Sequence, residues 1–183
     1  MNWIPYGPNA WLLEIAHELG DDAFYRVRSV VANLERHPPA GLVEYVVGFT
    51  TVLLEFSRDQ TDVETAVLPE LKARIQFDTL AKISPHPVKT VPVQYNGPDL
   101  DRVAAFHQVT PEEVAAVHSG TLYRVYLLGF SPGFPYLGDL DSRLHTPRLA
   151  SPRTRVPPGS VAIGGAHTGI YTIPSAGGWN SPM

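Results

Sequence analysis

The sequence predicts a chain of two domains, an α+β N-terminal domain over residues 1–85 and a mainly-β domain over residues 86–183. Three observations carry this. Within the first 85 residues a strand pattern, a helix pattern, two strand patterns and a second helix pattern follow one another. Gly and Pro then concentrate toward the end: the last 55 residues hold nine Gly and eight Pro, against six and ten in the first 128, and a segment so rich in both cannot stay helical for long. Charge divides near the same place, with 10 basic and 18 acidic residues up to Asp141 and four Arg with no carboxylate from Ser142 on.

In chain order, Trp11, Leu13 and Ile15 alternate as on one face of a strand. Phe24, Val27, Val30, Val31 and Leu34 recur at spacings of three and four, a helix with Asp21 or Asp22 as N-cap and Pro38-Pro39 closing it. Gly41 to Phe56 reads as two strands interrupted at Gly48-Phe49-Thr50. A second helix opens at Thr61 with Glu64 completing a capping box, carries Val63, Val67, Leu71 and Ile75 on one face, and is expected to kink or break at Pro69. These elements fit a small ferredoxin-like domain, and Ser84-Pro85-His86-Pro87 reads as a linker. Thr90 to Tyr95 predicts a strand, followed by a turn at Asn96-Gly97-Pro98 and two short helices, Asp101 to His107 and Pro111 to His118. The second of these is well punctuated, with Thr110 as N-cap, Pro111 at the first position, Glu113 completing the box and Gly120 past the end. Leu122 to Phe130 is strand-like, and the remainder predicts short strands with tight bends, as in a barrel.

Composition excludes several classes. With 44% hydrophobic and 17% charged residues, the chain lies far from the disordered range. It has no Cys, which removes disulfides, Cys-ligated zinc, Fe–S clusters and thiol nucleophiles and fits a reducing, cytoplasmic setting. No Lys or Arg precedes an apolar stretch at the N-terminus and no run of 18 apolar residues occurs, so neither secretion nor membrane spanning is indicated. A net charge of −4 opposes nucleic-acid binding, as do Asp99, Asp101, Glu112 and Glu113 around the two short helices, which phosphates would repel.

Familiar catalytic motifs fail in detail. Gly164-Gly165-Ala166-His167-Thr168-Gly169 is followed by Ile170-Tyr171 and not by Lys and Ser or Thr, so it is no phosphate loop. The β-prone residues after it deny the helix that a dinucleotide fingerprint needs; turn or bulge glycines in a strand pair are the plainer reading. Ser175 lacks a nucleophile elbow. The seven His are scattered without metal-ligand spacing, and His17, His37 and His86 read as surface or loop residues. Two features remain. Arg143, Arg148, Arg153 and Arg155 lie in the carboxylate-free stretch; they either form an anion site through charge-assisted hydrogen bonds or pair with acids from the first 141 residues and hold the two domains together. The loop Phe130-Ser131-Pro132-Gly133-Phe134-Pro135-Tyr136-Leu137-Gly138 has a shape defined by Pro and Gly. It either walls a pocket or partner surface or plugs a barrel end, and Phe134-Pro135 is a candidate cis peptide.

At these residues the chain resembles a known family. The run Tyr123 to Gly138, then Pro147-Arg148-Leu149, Pro152-Arg153-Thr154-Arg155-Val156-Pro157, Gly159-Ser160-Val161, Thr168-Gly169-Ile170-Tyr171 and Gly177-Gly178-Trp179 is similar to the KipI family. That family is also called the 5-oxoprolinase B subunit and, in older labels, allophanate hydrolase subunit 1. The close match runs from about Val91 to Trp179. The resemblance implies that the second domain is a cyclophilin-like β-barrel and that the chain is one component of an ATP-dependent 5-oxoprolinase. That complex opens 5-oxoproline to L-glutamate with subunits A and C, and this component is not expected to be active alone. ATP enters as co-substrate of the complex, with no metal site in this chain. By the same analogy Arg148, Arg153 and Arg155 orient a carboxylate or phosphate, Tyr136 and Trp179 wall the pocket, and Phe130, Pro132, Phe134 and Pro135 form a partner or pocket loop. KipI itself is named as an inhibitor of a sporulation histidine kinase, which leaves a regulatory, non-catalytic protein as the alternative. The sequence departs from the family at His167, where Gln is usual. It also stops at Asn180-Ser181-Pro182-Met183, where family members continue, so the last barrel strands are expected to be missing and an edge to lie open.

Overall fold

The computed structural model describes residues 1–59, 62–75 and 87–183, a mixed α/β chain with antiparallel sheets in two compact units, Met1–Val88 and Lys89–Met183. The Ser84–His86 part of the expected linker and Thr61, the expected cap of the second helix, lie outside the described residues.

The first unit is a four-stranded sheet in the order β1-β2-β4-β3, from β1 (Asn2–Pro5), β2 (Ala10–Glu14), β3 (Leu42–Val47) and β4 (Thr51–Phe56). Alternation puts Leu13 and Ile15 beside Val52, Leu54 and Phe56 in one buried cluster. Helix α1 (Asp21–Arg36) adds Val27, Val30, Val31 and Leu34 to it, the face its spacing predicts. Neither Asp21 nor Asp22 caps α1, contrary to expectation. Gly20 holds that position, and both acids sit in the first turn, where they face the positive end of the helix dipole. Pro69 also acts differently from expectation. A π-helical turn, Val63–Val67, precedes α2 (Leu68–Arg74) and places Pro69 in the first turn of α2, where a missing N–H costs little. The wider turn thus takes up the ring that would have kinked a continuous α-helix. The apolar face survives, with Val63, Val67, Leu71 and Ile75 all buried.

The second unit opens with α3 (Leu100–His107) and α4 (Pro111–Ser119). The α4 capping box forms as predicted: the Thr110 hydroxyl accepts from the Glu113 amide at 3.2 Å, and the Glu113 carboxylate accepts from the Thr110 amide at 2.7 Å. A four-stranded antiparallel sheet follows in the order β5-β6-β9-β8, from β5 (Arg124–Leu128), β6 (Pro135–Gly138), β8 (Val161–Gly164) and β9 (His167–Ile170). A separate pair joins β7 (Arg153–Val156) to β10 (Ser175–Gly177). The Gly164–Gly169 run is the β8–β9 hairpin, turned at Gly165 with φ of 65°. Residues 180–183 run along β8, with Ile163 and Asn180 exchanging backbone hydrogen bonds of 2.7 and 2.8 Å. The backbones of Gly97 and Asp99 donate to Pro182 and Ser181 on the far side of that segment.

Two parts of this unit depart from what the sequence predicts. No strand forms over 90–95; Pro92 has no N–H to give to a ladder, and the segment instead lines an open cleft of about 700 Å³ with Pro158, Gly159 and Ser160. The Phe134–Pro135 bond is trans, no cis bond being found among the described residues. The loop turns instead through left-handed conformations at Phe130 (φ 65°) and Gly133 (φ 75°).

β8 is buried along its whole length. Val161 and Ile163 face a core shared with Val103, Val114, Leu140 and Leu144, while Ala162 faces a second core made of Phe134, Val156, Tyr171 and Trp179. A buried polar chain ties α4 to this sheet. Tyr95 Oη lies 2.9 Å from His118 Nδ1, His118 Nε2 lies 3.1 Å from Thr168 Oγ1, and Thr168 Oγ1 donates to the Ala162 carbonyl at 3.1 Å. Because the Thr168 proton goes to Ala162, the neutral imidazole donates from Nε2 and accepts the Tyr95 hydroxyl at Nδ1. Burial pushes the His118 pKa down from 6.5 to about 4. The unfolded chain therefore binds a proton that the folded chain refuses between pH 6.5 and 4. The contribution of His118 is present above pH 6.5 and is lost as pH falls through that window, by up to about 3 kcal/mol. Denaturant melts of wild type and His118→Gln across pH 7 to 4 should show the wild-type midpoint falling more steeply.

Candidate functional site

The second core of the Lys89–Met183 unit is an aromatic cluster, and the residues singled out in the sequence sort themselves around it. Phe134 is its hub, 2% exposed. Its ring meets Tyr136, Tyr171, Phe130 and Trp179 edge to face at centroid distances of 5.0, 5.2, 5.4 and 5.7 Å, the arrangement that aromatic quadrupoles favour. Tyr136 stands 5.7 Å from Trp179 and lies opposite Gly169 in the β6–β9 ladder. Within the Phe130–Gly138 loop, Phe134 is packed into the core while Phe130 is left 61% exposed. The Pro132 carbonyl fastens the loop by accepting from the Thr172 hydroxyl at 2.7 Å, and Pro135 opens β6 opposite Leu128.

The four arginines of the final stretch divide into three kinds. Arg148 is exposed, and its guanidinium carbon stands 5.8 Å from the centre of the Trp179 ring, within cation–π range. Among the described residues it has no carboxylate partner. Arg153 is committed internally, its Nη2 lying 2.6 Å from Oδ1 of buried Asp99, whose Oδ2 accepts from the Ser181 amide at 2.7 Å. Arg143 forks onto Asp141 at 3.0 and 2.8 Å and, by donating those hydrogen bonds, holds the Asp141 carboxyl down at about 2. Arg155 is exposed on β7 and has no hydrogen-bond or ion-pair partner among the described residues. Both ion pairs use acids from the first 141 residues, as one alternative expected. Both also lie inside the second unit, so they do not join the two units.

Sequence reasoning passes over Tyr171 as a site residue, although it ends one of the motifs that carry the resemblance. Tyr171 is buried, and burial pushes its phenol above its ordinary value of 10; Tyr136 adds to this, while Arg148 and Arg153 pull it the other way. The phenol is thus neutral at neutral pH. His167 lies in the same field. Burial lowers its pKa, with His145 and Arg148 lowering it further and Asp139 opposing them. The exposed Arg148 therefore stands over a cluster of Tyr136, Tyr171 and Trp179, of which Tyr171 and Trp179 are buried. Two open clefts lie elsewhere in the unit, the one beside 91–96 and a smaller one of about 290 Å³ at Asp141 and Arg143; neither contains these residues. Among the described residues no group of His, Asp and Glu is placed to hold a metal ion, and no helix is long and apolar enough to cross a membrane.

The aromatic floor needs space that only glycine leaves. A Cβ added at Gly164 would lie 2.5 Å from the Trp179 indole, well inside van der Waals contact. Gly164→Ala should therefore displace Trp179 and destabilise the unit by about 1–3 kcal/mol, seen as a lower denaturation midpoint together with altered indole emission.

Comparison with known proteins gives three kinds of match. The family described as carboxyltransferase domain, subdomain C and D, matches residues 1–181. The chain is 59% identical over 92 residues to the 5-oxoprolinase B subunit of Haemophilus influenzae, covering 49% of this chain and 43% of that protein. It is 33% identical to the 5-oxoprolinase B subunit of Bacillus subtilis, across 94% of this chain and 77% of that protein. Among solved structures, a crystal structure of TTHA0988 superposes with a TM-score of 0.80 at 36% identity, covering 95% of this chain and 33% of that one. The chain thus spans less than half of the Haemophilus relative and a third of TTHA0988.

Proposed function

Because the chain belongs to the carboxyltransferase family of subdomains C and D, we propose that it works as the B subunit of an ATP-dependent 5-oxoprolinase. In this reading it acts in the cytoplasm with subunits A and C to open 5-oxoproline to L-glutamate. The observation that carries the reading is the match to the Bacillus subtilis protein, which runs through nearly the whole chain. Relatives named as 5-oxoprolinase subunits also favour it over a kinase inhibitor. The unit Met1–Val88 is read as the ferredoxin-like domain expected over 1–85, and Lys89–Met183 as the cyclophilin-like barrel domain expected over 86–183.

A lactam is an unstrained, resonance-stabilised amide that resists water. Phosphorylation of its oxygen at the expense of ATP would open the ring carbon to water, after which the C–N bond breaks and phosphate is released alongside L-glutamate. The glycine-rich run at 164–169 is a β-hairpin and offers no helix N-terminus to phosphate, so the reading assigns the use of ATP to the assembled complex and none of it to this run. What the residues of this chain supply is recognition. The Arg148 guanidinium takes the ring carboxylate of 5-oxoproline through charge-assisted hydrogen bonds, Trp179 and Tyr136 give the flat ring a wall, and the neutral Tyr171 hydroxyl donates to an oxygen of the ligand. Arg153 holds structure in place of binding substrate, since Asp99 already takes its charge, and Arg155 keeps a carboxylate-binding role only as a peripheral cation.

The test is isotope-detected 5-oxoproline turnover by this chain with subunits A and C supplied. Arg148→Ala should leave assembly intact and lower kcat/KM by about 10- to 150-fold, the loss of one charge-assisted contact of about 1.5–3 kcal/mol. An unchanged kcat/KM removes Arg148 from the site, and absence of turnover by the wild-type complex overturns the function.

A further inference from the structure

An exposed arginine samples many rotamers, so the use of Arg148 as an anion fork depends on what fixes its base. Two hydrogen bonds do so, one on each side. The Leu149 amide donates to the Gly178 carbonyl at 2.7 Å, and the Asn180 side-chain amide donates to the Pro147 carbonyl at 2.8 Å. Residues 147–149 and 178–180 are thereby clipped together on both flanks, with Arg148 and Trp179 as the two residues held between the clips. The first clip is backbone to backbone and indifferent to side chains. The second needs a side-chain N–H donor at position 180.

We propose that Asn180 is the positioning residue of this site: its side chain sets where the Arg148 guanidinium stands on the Trp179 ring, and so where the carboxylate of the ligand is held. The assignment rests on the reading of Arg148 given above. Asn180 is fully buried, and its amide has one workable orientation. Its Oδ1 accepts from Arg102 Nε at 2.9 Å, and its Nδ2 faces the Pro147 and Ile163 carbonyls at 2.8 and 3.3 Å. A flipped amide would set oxygen against both carbonyls and nitrogen against the guanidinium, losing every contact. The backbone of Asn180 is itself paired with Ile163 of β8, and the next residue is held by Asp99, so the donor projects from a fixed base. Aspartate at 180 would keep the acceptor for Arg102 and lose the donor for Pro147.

Two readouts test this on the 183-residue chain. In NMR spectra, NOEs between the Arg148 side chain and the Trp179 indole, assigned by their loss in Arg148→Lys, report the pair directly. In the complex with subunits A and C, KM and kcat for 5-oxoproline report its use. Asn180→Asp should abolish the NOEs and raise KM about tenfold while kcat stays within about twofold. Arg102→Met, at an exposed position, removes one of the three contacts that hold the amide and should weaken the NOEs and raise KM by about threefold. If both variants fold and keep the wild-type NOEs and KM, the proposal is overturned. If Asn180→Asp does not fold, Arg102→Met alone decides by the same criteria. If the wild-type complex does not turn over 5-oxoproline, the substrate reading falls, and the NOEs still decide whether Asn180 places Arg148.

Discussion

In the Lys89–Met183 unit every other arrangement answers to the burial of β8 on both of its faces. A strand with one wet face would alternate apolar and polar residues; Val161-Ala162-Ile163-Gly164 has nothing polar to offer on either. The two faces are nevertheless unlike. The larger side chains, Val161 and Ile163, meet the helices, and the small ones leave depth for rings. Once that strand is enclosed, its backbone groups need partners, and residues 180–183 supply them on one side as β9 does on the other. The site follows from this enclosure. Trp179 precedes the segment that must lie along β8, so the ring beneath Arg148 is placed by the demand for backbone hydrogen bonds.

Electrostatics refines that plan. A stretch of four arginines without a carboxylate is costly to leave unpaired near a core, and the fold discharges part of it by reaching back for Asp99 and Asp141. Asp99 is almost wholly buried and serves two donors, one from a side chain and one from the backbone. Its charge is thereby matched at both oxygens, as a buried carboxylate requires. Of the two arginines left over, Arg148 is the one whose neighbour is an indole face. A guanidinium stacked there keeps its in-plane donors free for a ligand, which a guanidinium locked in an ion pair cannot do.

Local rules are legible because their causes are local. The apolar face of α1, the β3–β4 pair, the α4 capping box and the β8–β9 hairpin each depend on residues within a few positions of one another. What escapes prediction depends on partners far along the chain. The Arg153–Asp99 pair spans 54 positions, and no periodicity announces it. β1 goes unseen because a four-residue strand ending in Pro, with only Trp3 turned toward the core, carries almost no alternation. The strand expected at 90–95 has the right residues and no ladder to join. Pro69 reads as a breaker, since a sequence does not reveal that the preceding turn widens. In the site itself the arginines stand out by composition, yet which of them stays free is decided by where Asp99 and Asp141 come to lie. Asn180 looks like the remainder after a motif because its role is a single contact with a carbonyl 33 positions away.

The close approach of rings to glycines has a consequence for how this region changes over time. Trp179 lies against Gly164 and Phe134 against Gly169, so each ring and its glycine form one steric unit with a shared volume. A side chain gained at the glycine must be matched by a smaller residue at the ring, and neither change is tolerated first without loss of packing. Among homologues these positions should therefore vary as pairs or not at all, and a relative that has lost the indole is one in which the strand beneath it is free to carry a methyl group.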